Sequence, residues 1–250
     1  MEAEGKEGMS LEPLIRTLES VYGRPSQDDH ERLRPLDELI FTILSQNTND
    51  RNRDRAWEAL KTRYPDWSAV VLAPRRQLEA TIRAGGLAPT KSARIQQVLR
   101  QVKAERGAFD LDFLIDSSIA EGEAYLRRFK GVGLKTIRCV LLFACRKPVI
   151  PVDTHIFRVG KRLGLFPEKA SPDRAHELLQ EMTPPGEMYP FHVNLITHGR
   201  RVCKAQRPLC DACPITALCP WFAAALRRAM RGVKGRRVAG KRALRSRTKA

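Results

Sequence analysis

Four of the chain's six cysteines, Cys203, Cys210, Cys213 and Cys219, fall within 17 consecutive residues, with six, two and five residues between them. So dense a set forces the segment to wrap around one centre, which must be a metal site or a pair of disulfides. Thiolate quartets suit zinc or an iron–sulfur cluster, both tetrahedral and sulfur-preferring. Structural zinc sites usually pair their cysteines in two short C-x2-4-C steps. Only Cys210 and Cys213 make such a step, so zinc is the lesser alternative and disulfides the least favoured. The N-terminus, Met1-Glu2-Ala3-Glu4-Gly5-Lys6-Glu7, is acidic and lacks an apolar stretch, so no secretory signal is read there. An intracellular, reducing compartment is expected, in which clustered cysteines serve as ligands. The longest apolar run, residues 139–145, falls far short of the ~18 residues a membrane span requires, so no membrane partner is expected. Cys139 and Cys145 bound that run and read as buried core thiols.

Upstream of the quartet the apolar residues recur at helical spacing. Leu36, Leu39, Ile40, Ile43 and Leu44 follow i, i+3, i+4, i+7, i+8, with Pro35 suited to a first helical turn. Ile95, Val98, Leu99 and Val102 repeat the pattern, as do Ala175, Leu178, Leu179 and Met182. Breaks fall at Tyr64-Pro65, Ala73-Pro74, Gly85-Gly86, Gly131-Val132-Gly133 and Thr183-Pro184-Pro185-Gly186. No stretch alternates with period two, so the fold class is all-α, built from about ten short helices.

Charge names the class of partner. The formal net charge is +17, and residues 223–250 carry 11 Lys/Arg with no Asp or Glu. Such an excess points to a polyanion. The basic tail, poor in apolar residues, is expected to be disordered and to attract phosphate non-specifically.

Two segments carry chemistry. Residues 123–129 and 134–145 read as helices joined by the tight turn Gly131-Val132-Gly133, and Lys135 follows two residues after the turn. Glycines allow close backbone approach, and turn amides at a helix start can cradle a phosphate oxygen. Pro151-Val152-Asp153-Thr154-His155-Ile156-Phe157-Arg158-Val159 then places a carboxylate immediately before another helical run. Asp153 makes sense there as an N-cap worth ~1 kcal/mol.

Together these segments resemble the endonuclease III family of DNA glycosylases. The cysteine spacing is similar to that family's C-x6-C-x2-C-x5-C loop, which holds a 4Fe-4S cluster. Phe129-Lys130-Gly131-Val132-Gly133-Leu134-Lys135-Thr136-Ile137 resembles its helix-hairpin-helix pattern Leu-Pro-Gly-Val-Gly-x-Lys-Thr-Ala, with Lys130 in place of the proline. The Val152–Val159 segment agrees with Val-Asp-Thr-His-hydrophobic-x-Arg-Val. Leu44-Ser45-Gln46-Asn47-Thr48-Asn49-Asp50 looks like Leu-Ser-x-Gln-x-Thr-Asp, with Asn47 at the position of the glutamine that enters the void of a flipped nucleotide. Residues 86–92 look like the loop carrying a wedge leucine, here Leu87. Residues 106–125 are longer than in the best-known members.

The resemblance runs from about Leu11 to Trp221 and implies a two-lobed helix-hairpin-helix glycosylase fold. One lobe, a six-helix barrel, should span residues 37–147; a cluster lobe should combine 10–36 with 148–222, flanked by an extension at 1–9 and the tail at 223–250. It implies Lys135 as nucleophile at C1′, Asp153 as the carboxylate assisting base departure, and cluster ligation by Cys203, Cys210, Cys213 and Cys219. DNA contacts are implied for Gly131, Val132, Gly133, Asn47, Leu87, Arg200 and Lys204, with Arg201 and Arg207 as further cations of the cysteine loop. His155 reads as structural or phosphate-facing. The implied function is base excision from damaged double-stranded DNA, most simply of an oxidised pyrimidine, followed by β-elimination, by a monomer. Two alternatives stand beside it. Mismatch-specific thymine or adenine glycosylases share much of the pattern but lack the lysine, and a non-catalytic DNA-binding module with a structural metal needs neither Lys135 nor Asp153.

Overall fold

The computed structural model describes residues 10–29, 32–228 and 230. The extension at 1–9 and the tail from 231 onward lie outside the described residues. Among those described there is no strand, and no helix is long and apolar enough to cross a membrane. The α-helices are α1 (Glu12–Tyr22), α2 (Pro35–Ser45), α3 (Asp50–Arg63), α4 (Trp67–Leu72), α5 (Arg75–Thr81) and α6 (Ala88–Arg106). They continue as α7 (Phe113–Asp116), α8 (Ile119–Arg127), α9 (Leu134–Cys139), α10 (Thr154–Leu163), α11 (Pro172–Met182) and α12 (Met188–Arg201). The periodic runs read from the sequence fall in α2, α6 and α11.

Two compact units divide the chain. One comprises residues 25–151 and 184–189 and is built on a single apolar core. Leu39, Ile40, Ile43 and Leu44 of α2, Ile95, Val98 and Leu99 of α6, and Ile137 of α9 are fully or almost fully buried in it. Side chains at the helix starts explain where these helices begin. Asn49 and Asp66 accept from the Asn52 and Ala69 amides, and Ser118 forms a capping box with Glu121 that starts α8 four residues earlier than the apolar pattern indicates. Beyond Cys139 the chain widens into a π-helical turn, Val140–Ala144, closed by Cys145 N–H to Val140 O at 3.1 Å.

That widened turn moves the unit boundary from the expected position. Its carbonyls lie at a helix end and need outside donors. The Gln27 Nε2 reaches Leu142 O at 3.0 Å, and Arg32 Nε reaches Ala144 O at 2.5 Å. Leu36 and Val149 are buried in the same core. Residues 25–36 and 148–151 therefore belong with the 37–147 segment rather than with the cysteine-bearing unit.

The other unit comprises residues 1–24, 152–183 and 190–250, of which the described part starts at residue 10. Leu14, Ile15 and Leu18 of α1, Ile156 and Val159 of α10, and Leu195 of α12 are buried. Asn194 Nδ2 holds Gly23 O at 2.9 Å, tying the end of α1 to α12. Residues 220–228 are helical, so the segment beyond 222 does not begin as the disordered tail expected from its charge. Ala223, Ala224, Ala225 and Leu226 are strong helix formers. The start is anchored by Phe222 N–H to Cys219 Sγ at 3.4 Å and by the Arg162 guanidinium 4.8 Å from the Trp221 ring centre.

Candidate active site

In the first unit the Gly131-Val132-Gly133 turn joins α8 to α9. Gly131 takes φ +80°, a region that disfavours side chains, and a Cβ there would run into the Arg94 guanidinium. Val132 is buried and its N–H bonds Phe129 O at 3.1 Å, pinning the turn from inside. Gly133 is the N-cap of α9, and Gly131 and Gly133 are exposed. Lys135 follows in the first turn of α9, half-buried, between exposed glycines and the buried Thr136.

The helix carrying Lys135 is fastened to the 46–47 loop. Gln46 Nε2 donates to Thr136 Oγ1 at 3.3 Å, while Arg94 NH1 donates to Gln46 Oε1 at 2.5 Å. Gln46 is thus committed within the protein. Its neighbour Asn47 is exposed with φ +51°, a conformation asparagine tolerates better than most residues. Leu87 likewise stands out: it is 53% exposed, with φ +48°, and forms the N-terminal boundary of α6. A leucine held left-handed and solvent-facing is uncommon, and its apolar side chain gains nothing from water. Hairpin, Lys135 helix and the 46–47 loop are therefore joined through Gln46 and Arg94 inside this unit.

Sequence reading missed two buried charges there. Lys91 is 1% exposed; burial, assisted by Arg94, pulls its ammonium down to about 8. The other is Glu38 on α2, 8% exposed, whose Oε1 accepts from Thr42 Oγ1 at 2.9 Å. Burial pushes its carboxyl up to about 7 against the Thr42 hydroxyl and the positive charges of Lys135 and Arg53. Both lie on apolar helix faces, where periodicity masks an isolated charge.

A pH dependence follows from Glu38. Its folded pKa lies above its ordinary value of 4.5, so the native state binds the proton more tightly and stability falls as pH rises from about 4.5 to about 7. Glu38→Gln keeps an acceptor for Thr42 without the charge. It should raise the thermal midpoint by several degrees at pH 8 and by little at pH 5; scans at the two pH values giving equal differences would contradict this.

In the second unit Asp153 caps α10, its Oδ1 accepting from Ile156 N–H at 2.8 Å. The capping role read from the sequence is therefore real, and only one carboxylate oxygen serves it. His155 Nδ1 lies 3.2 Å from Arg158 NH2. Further along α10, Arg158 donates to Gly199 O at 2.8 Å and Cys203 O at 3.0 Å, and Arg162 donates to Lys204 O at 2.8 Å and Ala205 O at 3.1 Å. The helix that Asp153 caps thus grips the start of the cysteine loop. Arg200, Arg201, Lys204 and Arg207 are exposed around it.

The four cysteines line one small cavity, together with Arg162, His198 and Phe222 among others. Among the described residues no three His, Cys, Asp or Glu stand close enough to share a single metal ion. N–H donors already face the sulfurs: Arg162 NH1 to Cys203 Sγ at 3.2 Å and Phe222 N to Cys219 Sγ at 3.4 Å. His198, fully buried, has Nε2 3.8 Å from Cys213 Sγ and Nδ1 3.0 Å from the Tyr22 hydroxyl. Its imidazole is pushed down to about 4 by burial, so it is neutral at pH 7. Burial, and the nearby Cys203 and Cys219, raise the thiols of Cys210 and Cys213. Cys139 and Cys145, by contrast, are buried core thiols, Cys145 pushed up to about 11.

Comparison with known proteins gives a consistent result. Residues 40–185 match the family described as HhH-GPD superfamily base excision DNA repair protein. Endonuclease III of Thermotoga maritima is 30% identical over 212 residues, covering 85% of this chain and 93% of that protein. An Arabidopsis thaliana protein, a DNA glycosylase by name, is 39% identical over 165 residues, and the chain spans only 56% of its length. Among solved structures, a non-covalent endonuclease III–DNA complex superimposes with a TM-score of 0.74 at 28% identity, over 87% of this chain and 97% of the other. A trapped endonuclease III–DNA covalent intermediate gives 0.73 at 26%, over 86% and 97%.

Proposed function

Because the chain belongs to the HhH-GPD superfamily of base excision DNA repair proteins, we propose that it removes damaged bases from double-stranded DNA and then cleaves the abasic strand. The observation that carries this reading is the bonded network in which the Lys135 helix, the Gly131-Val132-Gly133 hairpin and the exposed Asn47 are held together. A pure DNA-binding module has no use for a half-buried lysine presented in that way.

In the proposed reaction the hairpin amides and exposed glycines hold a backbone phosphate. Leu87 wedges into the stack and Asn47 occupies the space left by the extruded nucleotide, offsetting an unstacking cost of a few kcal/mol. The Lys135 amine, unprotonated when it attacks, forms a bond to C1′ as the bond to the base breaks. The carboxylate oxygen of Asp153 not used as a cap stabilises positive charge on the sugar and assists proton transfer. Ring opening gives a protonated imine. Loss of a C2′ proton then expels the 3′ phosphate, which is β-elimination. The substrate class is proposed to be oxidised pyrimidines. The lysine favours this reading over the mismatch-specific alternatives, which lack it.

Cys203, Cys210, Cys213 and Cys219 would hold a 4Fe-4S cluster, with Arg162 and the Phe222 amide donating to the sulfurs and His198 beside Cys213. Bound there, such a cluster supplies a structural staple and a site for electron transfer; no step above passes through it. Through Arg158 and Arg162 the loop it would order is joined to the helix capped by Asp153, and it sets Arg200 and Lys204 toward DNA. Cys203→Ser is therefore expected to weaken duplex binding about tenfold and to flatten its salt dependence. Titration of a labelled duplex at several salt concentrations checks this, and unchanged affinity and slope would refute it.

A panel of duplexes containing thymine glycol, dihydrouracil, uracil, mismatched thymine and an abasic site tests the function as a whole. Excision of the two oxidised or reduced pyrimidines with cleavage of the abasic strand is expected. Binding that leaves every strand intact would favour the non-catalytic module, and release of mismatched thymine alone would favour a monofunctional glycosylase.

A further inference from the structure

Lys91 is a full charge placed in a core, and its contacts say what it does there. Its Nζ lies 2.7 Å from Leu44 O and 2.7 Å from Gly85 O. Leu44 is in the last turn of α2, where carbonyls have no partner within the helix. Gly85 closes the 3-10 turn Arg83–Gly85. One ammonium therefore satisfies the ends of two elements, and the chain leaves each of them to form an exposed probe. Asn47 comes three residues after Leu44, and Leu87 two residues after Gly85. Lys91 N–H also bonds Leu87 O at 2.9 Å, so the same residue holds the left-handed Leu87 from both sides. Gly85 fits beneath because a Cβ there would already lie 3.2 Å from Ala56 Cβ.

A buried ammonium is an expensive way to fill apolar space, since methionine or leucine would fill it without desolvating a charge. What an apolar residue cannot do is bind two carbonyls from different segments at once. We propose that Lys91 is a positioning residue that fixes the 45–50 and 85–88 loops to one another, so that Asn47 and Leu87 enter the duplex as a unit. This rests on the reading of the chain as a base-extruding enzyme. It adds that extrusion depends on a residue that never touches DNA.

The test uses the full chain and a duplex carrying a tetrahydrofuran abasic analogue beside 2-aminopurine, whose fluorescence rises when the stack is opened. Wild-type protein should raise the signal. Lys91→Met should bind within about threefold of wild-type affinity yet give less than a third of the gain. Leu87→Ala should show a similar loss, and the double variant should lose no more than either alone, because both changes disable one device. A full gain from Lys91→Met, or losses that add in the double variant, would overturn the assignment. Should Lys91→Met fail to fold, Lys91→Gln, which can serve one carbonyl at a time, is expected to give a partial gain with an intact thermal transition. Failure of both to fold would reduce Lys91 to a core-building role and overturn the assignment. A wild-type protein that binds this duplex without any gain would overturn the base-extruding reading and, with it, the positioning role, an outcome distinct from a wild-type gain that Lys91→Met retains.

Discussion

Lys135→Gln should lower single-turnover cleavage of an abasic strand by at least about a thousandfold while duplex affinity stays within a few-fold of wild type. Glutamine approximates the length and polarity of lysine but has no amine to form the imine, so the covalent route closes. The fold should tolerate the change. Gly133 supplies the start of α9, Ile137 N–H bonds Gly133 O at 3.0 Å, and Thr136 keeps its bond to Gln46. The few-fold allowance covers one lost positive charge near phosphate. Cleavage within tenfold of wild type would reassign the nucleophile. A comparable loss of DNA binding would make Lys135 a phosphate contact.

Asp153→Asn is expected to slow base excision on the order of a hundredfold, the scale of a lost proton-handling or charge-stabilising group. Asparagine caps a helix about as well as aspartate, so the Ile156 N–H bond and the thermal midpoint should survive. Asp153→Ala separates the two duties: it should lose the same activity and, in addition, ~1 kcal/mol of stability from the missing cap. Cleavage of a preformed abasic strand should suffer less in both variants, because the base has already left. Excision by Asp153→Asn at the wild-type rate would leave the carboxylate with capping alone. The comparison is clean because the cap uses one carboxylate oxygen and the chemistry needs the charge.

Much of this was legible in the sequence, for identifiable reasons. Helical periodicity located α2, α6 and α11 because their apolar faces are continuous, as Leu39, Ile40, Ile43 and Leu44 show by being fully buried. The hairpin was legible because glycine and lysine at fixed spacing have few other uses. The unit boundary was not. It depends on the π-helical turn Val140–Ala144, whose carbonyls recruit Gln27 and Arg32 from more than a hundred residues away. No local pattern encodes a widened turn of this kind. The helical start of the C-terminal tail was hidden in the same way, since charge dominated a segment whose first residues are alanines gripped at Trp221 and Phe222.

The candidate site divides along similar lines. Motif positions such as Lys135, Asp153 and the cysteine quartet are displayed, so their residue types stand out against their surroundings. Lys91, Glu38 and His198 lie inside helices and act through partners that the fold supplies: the carbonyls of Leu44 and Gly85, the Thr42 hydroxyl, the Tyr22 hydroxyl and the Cys213 sulfur. A buried charge becomes legible only when its partners are known. The exposed, positive-φ state of Asn47 and Leu87 likewise had no signal beyond loop position.

The most direct measurement is borohydride reduction of the wild-type protein during turnover on an abasic duplex, followed by proteolysis and mass mapping of the adduct. The imine mechanism predicts a stable protein–DNA species with the sugar remnant on the Lys135 side chain, absent from Lys135→Gln. An adduct on another lysine or on an N-terminal amine, or none at all while the strand is still cut, would contradict it.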